Sequence, residues 1–280
     1  MAVTREAPRS GGVAGFVRNL AVTRSAYRAV AGYMFHRYFR AVSAATDEQI
    51  NEVYRIRYDV YCAELKFEDP GKFPDKREID AYDEHSLHCL LYHKGSNGYA
   101  GCVRLVMVDP AKPEEPLPFE RFCHDTMYHD VLRDLVKDRT KVAEISRLAV
   151  RSTFRRRKGE SGVPGGIIEE RKRGFGAMRT PWIALGLYLS AAATGLIKGL
   201  DGVFALMEPR LARRLGSYGI KFVQVGEPVE HRGQRAPFFI SREALYANVS
   251  PAVRGLLEVV EDDLRKTGGV EMKPRKPPPV

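Results

Sequence analysis

Three stretches carry charged side chains at spacings that could do chemistry. In REIDAYDEH, Glu78, Asp80 and Asp83 recur as ExDxxD, downstream of Arg57; Arg104 interrupts the apolar run YAGCVRLVMV; and EISRLAV puts Glu144, Ser146 and Arg147 in a segment of strand character. A carboxylate cluster of this kind can hold a cationic amine and be held in place by arginines; an acidic solvated loop is the other reading. A charge inside an apolar strand must find a partner, because burying it alone is prohibitively costly. Strand side chains alternate, so Glu144 and Ser146 are expected on one face, with Ile145 and Arg147 on the other. Glu144 and Arg147 are therefore expected to pair with other groups rather than with each other. An ion-pair network that only fixes the sheet remains the alternative.

The elements that must position these residues follow from periodicity. Thr46 or Asp47 can cap a helix running to Leu65, with Ile50, Val53, Tyr54, Arg57 and Tyr61 repeating at three and four. HCLLYHK and YAGCVRLVMV, separated by GSNG, predict a β-hairpin, and a polar helix is expected to end near Lys137. VAEISRLAV is the next strand, followed by a basic, glycine-containing loop over 151–180. Loops of that length inside a domain are usually functional or mobile. Then come a helix over Trp182 to Lys198, strand GVFALME, helix PRLARRLGSYG with Pro209 in its first turn, strand KFVQVGEPVEH, turn RGQR and strand APFFIS. The tail over 266–280 is expected to be disordered. The pattern is α/β, with a central strand followed by a loop at a helix N-terminus, a favourable place for a phosphate or pantetheine group.

The chain has 280 residues and a net charge of +10, and the charge is regional. Residues 1–45 hold seven arginines against Glu6 (+6), and residues 151–180 hold nine basic residues against three acids (+6), leaving −2 for the rest. Such patches suit a nucleic acid, an anionic lipid or an acidic carrier protein. Aromatics do not interleave with the loop arginines, and no recognition motif is present, which argues against nucleic acid. Cys62, Cys89, Cys102 and Cys123 form no CxxC pair and lack histidines at zinc spacing, so no metal site is assigned. Buried reduced thiols in a cytoplasmic protein are expected. No GxSxG is present, and neither Cys62 nor Cys102 has a histidine at a telling spacing, so no Ser or Cys nucleophile is assigned.

Arginines interrupt the N-terminal stretch too often for a secretory signal. Phe16, Leu20, Tyr27, Val30, Met34 and Tyr38 recur at helical spacing. Two readings are open for residues 13–42: a helix packed on its own domain, or a basic amphipathic helix resting on a membrane surface. Thr180 to Ile197 is uncharged, but its glycines, Ser190 and Thr194 indicate a buried core helix.

The ordered set Arg57, Tyr61, Phe67, ExDxxD, Arg104 and ExSR resembles the acyl-homoserine-lactone synthase pattern, shared by autoinducer synthases and N-acyl amino acid synthases of the GNAT acetyltransferase fold. The C-terminal half, from IALGLYLS to APFFI, resembles the PEP-CTERM/exosortase system-associated acyltransferases, a branch of the same superfamily. The chain departs from the pattern at Phe67, where tryptophan is usual, and at Leu148, where phenylalanine is usual. Those departures bear on the amine rather than on the reaction class.

The resemblance implies a GNAT-like α/β fold: a mixed central sheet flanked by helices over 46–265, with an extra N-terminal helical region over 1–45. It implies transfer of a long-chain fatty acyl group from an acyl carrier protein or acyl-CoA thioester to the amine of an amino acid or similar small molecule, with no permanently bound cofactor. On this reading Glu144 is the general base, with Ser146 beside it in the catalytic strand. Arg57, Tyr61, Phe67, Asp80, Asp83, Arg104 and Arg147 bind substrate, with Arg104 and Arg147 keeping Glu144 ionised. Leu148, Val150, Arg151, Arg155, Arg156, Arg157 and Lys158 meet the acyl donor, and backbone N–H groups after Ser146 meet the oxyanion. The basic loop favours an acidic carrier protein as donor. An S-adenosylmethionine-dependent homoserine-lactone synthase, or a noncatalytic acyl-carrier or lipid-binding scaffold on the same fold, are the alternatives.

Overall fold

The computed structural model describes residues 12–155 and 182–267, with side chains from Val22 onward. Arg156, Arg157, Lys158 and nearly all of the tail lie outside the described residues. The chain opens with helix α1 (Gly12–Tyr38) and strand β1 (Phe39–Ser43), followed by α2 (Asp47–Arg57), which continues as a wider π-helical segment, Tyr58–Glu64. Thr46 and Gln49 cap α2 reciprocally, side chain to backbone in both directions. The hairpin β2 (Ser86–His93) and β3 (Gly98–Met107) follows, and short helices α3 (Glu120–Cys123) and α4 (His129–Leu135) replace the single polar helix expected there. Strand β4 (Val142–Val150), helix α5 (Trp182–Ile197), strand β5 (Gly202–Met207) and helix α6 (Pro209–Ser217) come next. The expected strand KFVQVGEPVEH divides into β6 (Val223–Gln224) and β7 (Val229–Glu230), with glycine and proline between them. Strand β8 (Gln234–Ser241) and helices α7 (Arg242–Asn248) and α8 (Pro251–Lys266) complete the described chain.

The strands form one mixed sheet in the order β1-β2-β3-β4-β5-β8-β6, with β7 pairing β8. Every neighbouring pair is antiparallel except β4 with β5. One face packs on α1, α5 and α8 through Phe35, Leu187, Leu189, Leu256 and Val260, against Leu91, Leu105, Ile145 and Ile240 of the sheet. The opposite face carries two smaller clusters. One is built on α2 with Leu90, Cys102 and Ala149; the other packs Phe119 against Phe204 and Phe239. Helix α5 is buried in the main core, and among the described residues no helix is long and apolar enough to cross a membrane. All four cysteines are buried and free.

The N-terminal region differs from the sequence expectation in two ways. Residues 39–43 leave the helix and form the edge strand β1, whose Phe39 and Ala41 enter the core. The anticipated apolar stripe is not the buried one: Tyr27, Val30 and Tyr38 are exposed, whereas Ala31 and Phe35 are buried. Small residues decide this. A Cβ at Gly255 would lie 2.0 Å from the Arg28 carbonyl oxygen, so α1 and α8 touch backbone to backbone, closer than a stripe of tyrosines permits. Helix α8 was not expected from the sequence, although Ser250 caps it and Pro251 fills its first turn. It also covers the sheet edge: Asp263 accepts the Ala41 N–H (3.1 Å), and Thr267 Oγ1 accepts that of Ser43 (3.2 Å).

Candidate active site

The charged residues meet on the sheet face opposite α5. Arg57, fully buried on α2, donates through Nε to Glu78 and through a terminal nitrogen to Asp83 (2.6 Å). Arg104, buried in β3, binds Asp80 (2.5 Å) and Asp83 (2.9 Å), and its Nε donates to Ser146 Oγ (3.1 Å). Arg147 reaches Glu78 (3.0 Å), Asp80 (3.2 Å) and Glu68 (3.1 Å), and Arg232 closes the group on Glu68. Four cations thus face four carboxylates, and removing any one buried member leaves an uncompensated charge, a loss of about 3–5 kcal/mol. Burial alone raises the Asp83 carboxyl, but the Arg57 and Arg104 charges outweigh it and hold Asp83 far below the usual carboxylate range. Glu78 and Asp80 are likewise lowered, their arginines overcoming the effect of burial.

The ExDxxD spacing turns out to have a local cause as well. Asp80 caps the short turn Ala81–His85 by accepting the Tyr82 N–H (3.0 Å), while Asp83 accepts the Asp80 N–H (2.8 Å). Aspartates three apart build the turn that aims them at the arginines. Glu78 and Asp83 are buried among those arginines, whereas Asp80 and Glu68 each keep about a quarter of the side chain exposed (26% and 22%).

The placement of Arg147 corrects the alternation expectation. Cys102 pairs with Ala149 but Arg104 pairs with Ser146, so Val103 faces both Arg147 and Leu148 in a β-bulge. Arg147 takes a positive φ of 50°, which turns its side chain onto the face that Ser146 and Glu144 share. Beyond the bulge Leu148 and Val150 are buried in the main core, so their side chains face α5. The Leu148 carbonyl accepts the Tyr61 hydroxyl (2.9 Å), and Tyr61 itself lies under Arg147 and beside Phe67. The π-helical widening at Tyr58–Glu64 sets Tyr61 at this spot.

The parallel pairing of β4 with β5 runs from Val142–Gly202 to Ile145–Ala205 and stops there, while β4 continues along β3 to Val150. The two strands part at the bulge and leave a cleft between them. Glu144, the last β4 carboxylate before the cleft, is fully buried and accepts the Phe119 N–H (2.8 Å). Burial pushes its carboxyl up to about 8, with the Phe119 N–H and the Arg104 and Arg147 charges only partly opposing it. The expectation that those arginines keep Glu144 ionised is therefore corrected, because their charge is already spent on Glu78, Asp80 and Asp83.

Between α5 and the sheet a narrow apolar crevice runs from Ile145 and Tyr188 to Leu200, Gly202 and Leu245, at the end of β5 away from the cleft. Its free space is about 30 Å³. That is room for about two waters, so a longer apolar group enters only as those side chains move. Two residues of the basic loop have intramolecular partners: Arg151 binds Glu52 (2.7 Å), and Arg155 is paired with Glu64. Sequence reasoning missed Glu68, Tyr188, Arg232 and Arg235, which come from three stretches far apart in the chain. The RGQR turn was the one visible signal for the two arginines.

The sequence matches no curated protein. Among solved structures, FeeM, an N-acyl amino acid synthase from uncultured soil microbes, is similar at 13% identity over 75% of this chain and 94% of its own (TM-score 0.49). The CoA-dependent acyl-homoserine lactone synthase BjaI, solved with SAM and isopentyl-CoA, is 20% identical over 87% of this chain and 95% of its own (TM-score 0.47). TofI, solved in a ternary complex with an inhibitor and MTA, is 18% identical over 77% and 99% (TM-score 0.48). Residues 56–163 match the family model described as an acetyltransferase (GNAT) domain, and the mixed eight-stranded sheet flanked by helices is the GNAT-like fold expected from the sequence.

Proposed function

We propose that this protein is an N-acyltransferase that moves a fatty acyl group from a thioester, on acyl carrier protein or coenzyme A, to the amine of an amino acid or similar small molecule. The observation that carries this reading is Glu144: a buried carboxyl, pushed up to about 8, at the point where β4 and β5 part. A carboxyl with so raised a pKa is a stronger base than an ordinary carboxylate once ionised, which suits it to taking a proton from an ammonium.

In the proposed step the ammonium gives a proton to Glu144, directly or through water. Glu144 passes that proton to solvent; the amine attacks the thioester carbonyl, its nitrogen gives a second proton to Glu144, and as the C–S bond breaks that proton goes to the departing sulfur, leaving amide and thiol. Arg104 and Arg147 fix the acidic turn, and Ser146 Oγ, engaged by Arg104, orients that arginine rather than acting as a nucleophile. Backbone N–H groups of β4 beyond Ser146 would meet the oxyanion, where β5 no longer pairs. The GNAT-domain match over residues 56–163 supports the reaction class, and the C-terminal resemblance to PEP-CTERM/exosortase-associated acyltransferases supports an acceptor other than S-adenosylmethionine.

The test is to incubate the protein with hexadecanoyl carrier protein or hexadecanoyl-CoA and a pool of amino acids, with mass spectrometry for N-acyl products. Wild type is expected to form one, and Glu144→Gln to form at least about a hundredfold less, the scale of a lost general base. No product with any amine from either donor, with acyl-carrier binding intact in both proteins, would overturn the catalytic reading in favour of a scaffold.

A further inference from the structure

Arg235 is conspicuous among the arginines around the cleft. Arg57, Arg104, Arg147 and Arg232 each hold a carboxylate, whereas Arg235 takes part in no ion pair among the described residues, and its buried Nε has no hydrogen-bond partner. A guanidinium nitrogen taken from water and left unpaired is unfavourable, and such groups are normally satisfied.

Its position is set by register. Ala236 pairs with Met207, so Arg235 stands one residue further, at the C-terminal end of β5 and level with the parted segment of β4. Ala236 and Phe238 enter the main core and Phe239 packs on Phe204, so alternation puts Arg235 on the Phe239 face, which is the face of Glu144. Its charge bears on the phenols of Tyr61 and Tyr188 and on His231. Tyr61 bonds the Leu148 carbonyl at the bulge and Tyr188 lines the near end of the apolar crevice, so Arg235 stands beside both. Burial, helped by Arg232 and Arg235, lowers His231 to about 4, so the imidazole is neutral and adds no positive charge beside Arg235.

We infer that Arg235 anchors the carboxylate of the acceptor, so that the acceptor is an amine that also carries a free carboxylate, as an α-amino acid does. This rests on the acyl-transfer reading and names the acceptor class within it. The guanidinium fork matches a carboxylate in two parallel bonds, and a carboxylate fixed there keeps an α-amine within a few bond lengths of the cleft. A phosphate of the donor fits less well. Arg235 is a single unpaired cation, and Glu208 acts on Tyr188 from the same end of β5, which disfavours a dianion.

The experiment compares kcat and KM for an amino acid acceptor and for its carboxamide, with hexadecanoyl-CoA or hexadecanoyl carrier protein as donor, in wild type, Arg235→Ala and Arg235→Lys. Wild type is expected to prefer the free acid in kcat/KM by about tenfold or more, the scale of a charge-assisted pair. In Arg235→Ala the ratio falls towards one, with the loss in KM for the acid, and Arg235→Lys recovers part of it. An unchanged ratio in Arg235→Ala, no acid preference in wild type, or a raised KM for the donor with acceptor discrimination intact overturns the inference while leaving acyl transfer standing. If wild type acylates no amine, the acyl-transfer reading itself has failed. The anchor is then read by calorimetry, with N-hexadecanoyl amino acid and its amide as probes; equal affinity of wild type and Arg235→Ala for the acid overturns it.

Discussion

Two buried carboxylates on one sheet face show how strongly neighbours decide protonation. Asp83 sits between Arg57 and Arg104 and stays far below the ordinary range, whereas Glu144, a few residues along the same face, receives one backbone N–H and rises to about 8. At pH 7 about one Glu144 in ten is ionised, so the acyl-transfer rate is expected to rise by up to about tenfold between pH 7 and 9 and to level off above 8. The same shift has a stability consequence. Between the unfolded value, about 4.3, and about 8, the native state holds a proton that the unfolded chain has released, so stability falls as pH rises through that window. Glu144→Gln keeps an acceptor for the Phe119 N–H and removes the titration. It should therefore melt like wild type at pH 4 and about 2–4 °C higher, or more, at pH 8, since 1 kcal/mol moves a domain of this size by about that much. A pH-independent gap between the two melting curves would show that Glu144 titrates normally.

The elements that position the site were mostly legible, and the failures have physical causes. The hairpin, β4, α5, β5 and α6 follow from period and capping signals within each segment. The bulge at Arg147 was not legible, because it depends on the register of β3 against β4, which no local spacing encodes. Nor was the close contact of α1 with α8, since a glycine in a helix announces weakness in isolation and close approach only when its partner is known. That contact makes a prediction. A methyl at Gly255 would meet the Arg28 carbonyl at 2.0 Å, and a backbone atom of the facing helix cannot swing aside as a side chain would. Gly255→Ala should push α1 off α8 at a cost of about 1–3 kcal/mol, the usual range for overpacking. The change should appear as faster tryptic cleavage at Arg24 and Arg28, by about tenfold, together with a lower melting temperature. Wild-type cleavage rates in Gly255→Ala would mean that the two helices do not need this contact.

At the scale of the whole molecule, the sequence showed that positive charge is regional but not which of it is free. Arg151 and Arg155, expected to face the donor, are held by Glu52 and Glu64, and Arg57, Arg104, Arg147 and Arg232 are matched by Glu68, Glu78, Asp80 and Asp83. Charge counting along the chain cannot see such pairing, because the partners lie far apart in sequence. Arg156, Arg157 and Lys158 lie outside the described residues, and their charge suits steering of an acidic carrier protein. Reversing those three to glutamate should raise KM for hexadecanoyl carrier protein by about tenfold or more in dilute buffer, an effect that shrinks as ionic strength passes about 0.3 M. KM for hexadecanoyl-CoA should change by less than about twofold if the loop meets the carrier's acidic surface rather than the thioester arm shared by both donors. An equal rise for both donors would place the loop on that shared arm. The preference for a carrier protein would then lose its electrostatic basis, because a contact common to both thioesters cannot discriminate between them.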